Sequence, residues 1–199
     1  MIMDNNLLPE NIVFYDYWLP LDKNDFRILA WVTYLGGSFH GNLTDLCKLF
    51  GITPQSSNRE KISVAIQQLA DQGFLTVKKF GRELDICLIP KGAEISLARC
   101  WVQPILQHKY CLANVSPENV LKTLLWIARD NAAHNITPVT NQMICEDLKI
   151  SPSTLGLAKN VLSKELRAIS RKIITEKDSS GEYLTLGQRL DVSASWCGS

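Results

Sequence analysis

The sequence predicts a protein of the α+β class, mainly α with small β-hairpins, that consists of two similar units. Residues 42–89 show the pattern of a helix, a turn, a second helix and a two-stranded hairpin. The same order returns in the second half, where Leu148-Lys149-Ile150-Ser151-Pro152 matches Phe50-Gly51-Ile52-Thr53-Pro54 at an offset of 98 residues. Within the second helix of each unit the correspondence drifts by one or two positions. The sequence therefore predicts a repeat of architecture rather than of residue identity.

The composition is that of a soluble globular protein with one or two small domains. The chain has 199 residues, of which 46% are hydrophobic and 21% are charged. It carries 21 basic and 20 acidic residues, so the net charge of +1 demands no particular partner. Any contact with nucleic acid must therefore come from local patches of charge.

Neither export nor membrane insertion is expected. The first 20 residues contain three acidic residues and no Lys or Arg, unlike a signal peptide, and no apolar run reaches the roughly 20 residues that a membrane helix needs. We therefore expect a cytoplasmic, nucleoid-associated protein with reduced and buried thiols. Cys100, His108 and Cys111 do not have the spacing of common zinc sites. The six cysteines are Cys47, Cys87, Cys100, Cys111, Cys145 and Cys197.

The first half is predicted to hold an apolar lead-in at residues 1–20 and a domain at residues 21–90. The lead-in has too many aromatic residues for a free tail, so we expect it to pack on the first domain or on a partner. N-cap residues, glycines at helix ends and a glycine turn then predict where the helices and strands of the domain begin and end. These elements are a helix over 23–35 capped by Asp22, a strand over 38–41, a helix from the cap Asn42 to Gly51, a helix over 58–72 before Gly73, and strands over 74–80 and 83–89 joined by Gly81-Arg82.

The second half is predicted to hold a packed connector at 91–115, a domain at 116–190 and a polar tail at 191–199. In the connector, residues 93–101 are expected to be helical, and Pro104 is expected to stop any continuation of this helix. The domain should begin with a helix at Ser116-Pro117 that ends near 131–134. Its further elements are a strand over 136–139, a helix from the cap Thr140 to Leu148 with Met143, Ile144 and Leu148 inward, a long helix from Ser151-Pro152 with Leu155, Ala158, Leu162, Leu166 and Ile169 inward, and strands over 172–175 and 183–186 joined at 178–181.

The helix-turn-helix followed by a hairpin resembles a winged helix. The run Ile66-Gln67-Gln68-Leu69-Ala70-Asp71-Gln72-Gly73-Phe74-Leu75 is similar to the point where a recognition helix passes into the wing. Two such units in tandem resemble the replication initiators of plasmids and phages, and also the N-terminal domains of DnaD-type replication proteins. The nearest feature to the latter is Tyr17-Trp18-Leu19-Pro20-Leu21. The resemblance implies sequence-specific binding of double-stranded DNA by a replication initiator or a transcriptional regulator.

Positive charge supports this interpretation, because it clusters on the elements that would face DNA. Residues 59–82 hold five basic residues against two acidic ones, and residues 159–177 hold six against two. Asn58, Gln55 and Arg59 are candidates for reading base edges, although Asn58 also suits an N-cap, and Lys78, Lys79 and Arg82 are candidates for phosphate contacts. The predicted DNA-binding residues are Gln55, Ser56, Ser57, Asn58, Arg59, Lys61, Lys78, Lys79, Arg82, Ser153, Thr154, Lys159, Asn160, Lys164 and Lys177.

Other interpretations are weaker or remain open. These basic residues could be ordinary solvated helix faces and a lysine-guarded edge strand. No nucleophile, phosphate-loop or metalloprotease motif accompanies the three histidines, so we expect no enzyme activity, no metal and no cofactor. The alternative of a different class is a tandem winged-helix protein-interaction module, similar to chromosome-segregation protein B, without direct DNA binding. The apolar lead-in and connector would offer surfaces for a homodimer or a protein partner.

Overall fold

The structure, a computed structural model, describes residues 10–111, 114–133, 138–179 and 182–193. It is a mixed α+β protein, as predicted. The chain divides into two compact units, residues 1–94 and residues 95–199. In the described ranges no helix combines the length and apolar character needed to cross a membrane. The predictions for residues 1–9, for 134–137, for the turn at 180–181 and for the tail from 194 lie outside the described residues.

The first unit combines three helices with a three-stranded antiparallel sheet. Its elements are β1 Asn11–Tyr15, α1 Lys23–Tyr34, β2 Ser38–Gly41, α2 Leu43–Leu49, α3 Ser56–Asp71, β3 Leu75–Phe80 and β4 Glu83–Leu88. The sheet order is β2-β4-β3, so the strand between the first two helices pairs with the last strand of the hairpin. The described elements follow the predicted order closely, and the start of α3 differs by two residues.

Side-chain caps fix where the helices of the first unit begin. Asp22 accepts hydrogen bonds from the backbone N–H of Asn24 at 2.7 Å and of Asp25 at 3.0 Å, and so caps α1. Asn42 caps α2 in the same way, and the Asp45 side chain accepts from the Asn42 N–H to complete a capping box. Both caps were predicted from the sequence and are confirmed. They fix the entry of the chain into the first two helices of the unit.

The lead-in packs on the first unit, which confirms the first of its two predicted alternatives over the described residues 10–20. Phe14 and Trp18 have no exposed surface, and β1 packs against α1. A short 3₁₀ turn, Asp16–Trp18, follows β1. The Asp16 N–H donates to the Ala93 carbonyl at 3.0 Å, and the Ala93 N–H donates to Asp16 Oδ1 at 2.9 Å. The lead-in is thus part of the core of this unit.

The turn that follows α2 in the first unit and the turn at Lys149 in the second unit are built alike. Gly51 and Lys149, which correspond at the offset of 98, both have left-handed backbones, with φ of 67° and 54°. The Ile52 N–H donates to the Cys47 carbonyl at 2.9 Å, and the Ile150 N–H donates to the Cys145 carbonyl at 3.1 Å. These are the long-range hydrogen bonds of a Schellman motif. The two units therefore share the same backbone conformation at this turn, although the second unit has Lys149 where the first has Gly51.

The second unit has four described helices and a long hairpin. The elements are β5 Glu94–Ala98, α4 Arg99–Leu106, α5 Pro117–Ala132, α6 Asn141–Leu148, α7 Pro152–Asn160, β6 Ile169–Lys177 and β7 Tyr183–Val192. Thr140 caps α6, as predicted, through its hydroxyl and the Met143 N–H. Val139 forms an isolated antiparallel bridge with Gln188 of β7. Of the strand that was expected over 136–139, the described residues 138 and 139 show this bridge and no longer strand.

Several predictions for the second unit are wrong. Most of residues 93–101 form strand β5, and α4 continues through Pro104 instead of stopping there. Met143 is exposed rather than inward, while Ile144 and Leu148 are buried. The long helix ends early, because a π-helical turn at Val161–Glu165 follows α7 and Ile169 already belongs to β6. The wider π turn breaks the 3.6-residue periodicity from which the long helix was inferred.

The thiol prediction holds only in part. Cys47, Cys87, Cys111 and Cys145 are free, but Cys87 and Cys111 are exposed rather than buried. Cys100 is disulfide-bonded, so the expectation of six free cysteines is wrong at that position. Sequence spacing carries no information on pairing between distant cysteines, and this is why the prediction failed.

Candidate nucleic-acid interface

A cleft of about 1120 Å³ opens in the first unit between α2, α3 and the β3–β4 hairpin. The Asn42 cap sets the start of α2 on one side, and the Gly81 turn sets the end of the hairpin on the other. Four basic residues from these three elements line the cleft. They are Lys48 from α2, Arg59 from α3, and Lys79 and Arg82 from the hairpin.

These four cations lack carboxylate partners at ion-pair distance within the part of the chain that the structure describes. Acidic residues also line the cleft, but two of the three have other bonds. Asp45 belongs to the capping box of α2, and Glu83 accepts a long hydrogen bond of 3.5 Å from Asn42 Nδ2. Glu60 is exposed on α3. The cations are therefore available to an external anion.

The polar face of α3 lies along this cleft. Ser56, Arg59, Ser63 and Gln67 recur at spacings of three and four residues, which places them on one side of the helix. The adjoining side of the helix is buried in the core and consists of Ile62, Ala65, Ile66 and Leu69, of which Ile66 also lines the cleft. Of the residues predicted on this helix, the structure brings Ser56 and Arg59 to the cleft. Gln55, Ser57 and Lys61 are exposed but do not line it.

Asn58 is not the N-cap of α3, so that part of the prediction is wrong. The helix begins at Ser56 after Gln55, and no side chain caps it. Asn58 lies in the first turn, where its Nδ2 donates a hydrogen bond of 2.9 Å to the Thr53 carbonyl. This bond fixes the loop before α3 and occupies the amide that was a candidate for reading a base. The Pro54 ring made a later helix start plausible from sequence alone.

The hairpin separates two lysines that the sequence interpretation had grouped. Successive residues of a strand point to opposite faces, so Lys79 lines the cleft while Lys78 lies on the other side of the sheet. There Lys78 is directly opposite Asp85, which is paired with His40 on the next strand. The hydrogen bond and the charge of Asp85 raise the pKa of His40. Lys79 and Arg82 therefore share one site, and Lys78 does not.

The second unit buries one of its predicted DNA contacts. Lys159 is only 9% exposed, and its Nζ donates to Asn141 Oδ1 at 3.0 Å and to Gln188 Oε1 at 2.8 Å. Gln188 Nε2 donates to the same Asn141 oxygen at 2.6 Å. Burial, followed by the nearby charge of Arg171, lowers the pKa of Lys159 to about 8. The burial of Lys159 argues against its predicted contact with DNA, because its ammonium group joins α7 to α6 and β7.

The other predicted residues of the second unit are distributed over α7, the π-helical turn and the hairpin. Ser153 and Thr154 both hydrogen-bond Ser151, whose hydroxyl caps α7. Asn160 is half-buried at the end of α7, and Lys164 is exposed on the π-helical turn. Lys177 lies on the distal end of the hairpin, with its Nζ 5.1 Å from the centroid of the Tyr183 ring.

Sequence reasoning missed Lys48 in the candidate site. Its signal was weak, because a lysine in the last turn of a short helix usually compensates the helix dipole. Only the packing of α2 against α3 brings it to the cleft. Among the described residues, no group of three or more His, Cys, Asp or Glu side chains is arranged to hold a metal ion.

Comparison of the chain with protein-family models and with curated proteins finds no match.

Proposed function

We propose that the protein binds double-stranded DNA in a sequence-specific manner, with the cleft of the first unit as its main contact. The observation that carries this proposal is the convergence of Lys48, Arg59, Lys79 and Arg82, without carboxylate partners among the described residues, on one cleft beside the polar face of α3. Unpaired cations from several elements are the means by which proteins neutralise DNA phosphates. A polar helix face between them suits the reading of base edges.

The order of elements supports a tandem winged helix. In the first unit, α1, β2, α2, α3 and the hairpin β3–β4 follow the winged-helix order, with α3 as recognition helix and the hairpin as wing. In the second unit, α5, the bridge at Val139, α6, α7 and the hairpin β6–β7 follow the same order. Such a protein would act as a replication initiator or as a transcriptional regulator.

The features of the second unit favour a role other than the main DNA contact. Helix α7 exposes Ser153 and Gly156 and buries Lys159, so it has less charge to offer a phosphate backbone than α3. Its hairpin exposes Ile173, Leu184 and Leu186. These apolar residues favour, as the second candidate function, a protein-interaction role for this unit.

The test is a titration of a labelled duplex of random sequence, followed by fluorescence anisotropy at about 50 mM and about 200 mM salt. We expect affinity to fall steeply with salt. Replacing Lys79 and Arg82 by Gln should reduce the slope of log affinity against log salt by about 2, because each phosphate contact contributes about 0.9. Selection from the random pool should then enrich a preferred site, and Arg59→Ala should relax that preference.

Lys78→Gln is the matched control, because it removes the same charge from the neighbouring position on the opposite face of the sheet. It should leave affinity and salt slope close to those of the original protein. Equal effects of Lys78→Gln and Lys79→Gln would mean that overall charge, and not the cleft, attracts the DNA. An absence of binding at low salt would reject the proposal.

A further inference from the structure

Both hairpins end in an exposed aromatic ring, a shared feature that the sequence repeat did not predict. In β3–β4 the last cross-strand pair before the turn is Phe80 with Glu83, and in β6–β7 it is Tyr183 with Lys177. Phe80 is 60% exposed and Tyr183 is 69% exposed. We call these two residues the tip aromatics. Each lies at the distal end of the hairpin of its own unit.

Cations accompany both tip aromatics. Lys177 Nζ lies 5.1 Å from the ring centroid of Tyr183. Lys79 and Arg82 are neighbours of Phe80 along the chain, and the alternation of the strand directs Lys79 to the face opposite Phe80. A single exposed aromatic residue is common on protein surfaces and needs no explanation. An exposed ring within two residues of a basic residue or in contact with one, at the hairpin tip of two separate units, is a more specific arrangement. It offers a π-face for a nucleobase and a positive charge for the adjoining phosphate.

We propose that Phe80 and Tyr183 stack on nucleobases of the bound DNA where the stacking of the bases is opened. This inference rests on the proposed DNA binding. It specifies which groups of the DNA, the nucleobases, the hairpin tips contact. Aromatic and apolar side chains that enter an opened base step replace part of the lost base stacking. The opened bases can belong to a distorted duplex or to an unpaired region, and both present the same π-face.

The exposed Ile173, Leu184 and Leu186 of the second hairpin would instead suit a protein partner. The two uses differ in what they predict for DNA. A protein contact would leave the affinity for DNA unchanged when Tyr183 is replaced. If Tyr183 stacks on a base, the affinity for DNA should fall when its ring is removed. A different aromatic residue at this position should retain the affinity.

The experiment compares three probes at one salt concentration: a duplex of mixed sequence, the same duplex with a short central unpaired bubble, and one of its single strands. We expect the protein to bind the bubble duplex more tightly than the intact duplex. Phe80→Ala and Tyr183→Ala should each weaken binding to the bubble duplex about ten-fold, since stacking contributes about 1–3 kcal/mol per base. Phe80→Trp and Tyr183→Phe should retain the preference, and the single strand shows whether pairing on either side of the bubble is needed.

Val64→Ala is the control, because Val64 is an apolar residue of α3 that is 51% exposed and lies outside both hairpins. Circular dichroism of each variant checks that it is folded. If the intact duplex is bound in a salt-dependent way but the alanine variants behave as Val64→Ala does, the stacking inference is wrong and the proposed function stands. If none of the probes is bound, both are wrong.

Discussion

Lys159 gives the sharpest test of the structure, because the sequence predicted a DNA contact and the structure buries this side chain. Its ammonium group contacts Asn141 and Gln188 and has little access to water. Burial lowers the pKa of Lys159 from 10.5 to about 8. In the unfolded chain this lysine keeps its ordinary pKa, so between pH 8 and pH 10.5 the unfolded state binds more protons than the folded state.

Stability must therefore rise with pH in that window. A fall in pKa from 10.5 to about 8 corresponds to about 3 kcal/mol, which is the most by which the free energy of unfolding can grow through this group between pH 8 and pH 10.5. Below pH 8 both states are protonated and the contribution is constant. Lys159→Met lacks the titrating group. The difference in the free energy of unfolding between the two proteins therefore reports on Lys159 alone, because tyrosines and thiols that titrate at similar pH contribute equally to both.

The assay is urea unfolding followed by circular dichroism at pH 7.5 and pH 10.5. The free energy of unfolding of the original protein should gain up to about 3 kcal/mol relative to Lys159→Met over this interval. In addition, Lys159→Met should bind DNA at pH 7.5 as the original protein does. If the free energy of unfolding has the same pH dependence in both proteins, Lys159 is not buried with a lowered pKa. Loss of DNA binding in a folded Lys159→Met would place this lysine on the DNA-binding surface after all.

Two further predictions concern the turns that precede α3 in the first unit and α7 in the second. Asn58→Ala should destabilise the protein by about 0.5–1.5 kcal/mol in urea unfolding, because it removes the hydrogen bond to the Thr53 carbonyl; no loss would mean that this bond is not formed in solution. Lys149→Gly should raise stability by up to about 1 kcal/mol, because Lys149 holds a left-handed backbone that glycine adopts without strain, and the change copies Gly51; a lower thermal midpoint would contradict this.

Local signals in the sequence predicted the first unit well. The caps at Asp22 and Asn42 and the turns at Gly51 and Gly73 depend on residues within a few positions of each other, so tertiary packing does not alter them. Side chains alternate between the two faces of a strand, so the sequence was sufficient to predict that Lys78 and Lys79 lie on opposite faces. The sequence interpretation did not make this prediction. The mixed α+β class followed from these same local patterns.

The errors arose where distant parts of the chain decide the outcome. Lys159 is buried because Asn141 and Gln188, on two other elements, provide oxygen acceptors for its ammonium group. The π-helical turn after α7 rotates the chain, so Leu166 is half-buried and Ile169 enters a strand. Lys48 reaches the cleft only through helix packing. None of these outcomes has a signal within the segment concerned.

The pairing of Asp16 with Ala93 has a consequence for how the first unit forms during synthesis. Two hydrogen bonds join these residues, which are 77 positions apart, and the buried Phe14 and Trp18 lie at the same end of the unit. The lead-in leaves the ribosome before the rest of this unit, but Asp16 reaches its partner only after Ala93 has emerged. Because Asp16 and Ala93 lie side by side, the chain can be joined close to these two residues and reopened at an exposed turn such as Gly81-Arg82. A circular permutant of this kind should fold, whereas a version of the unit that starts after Trp18 should not.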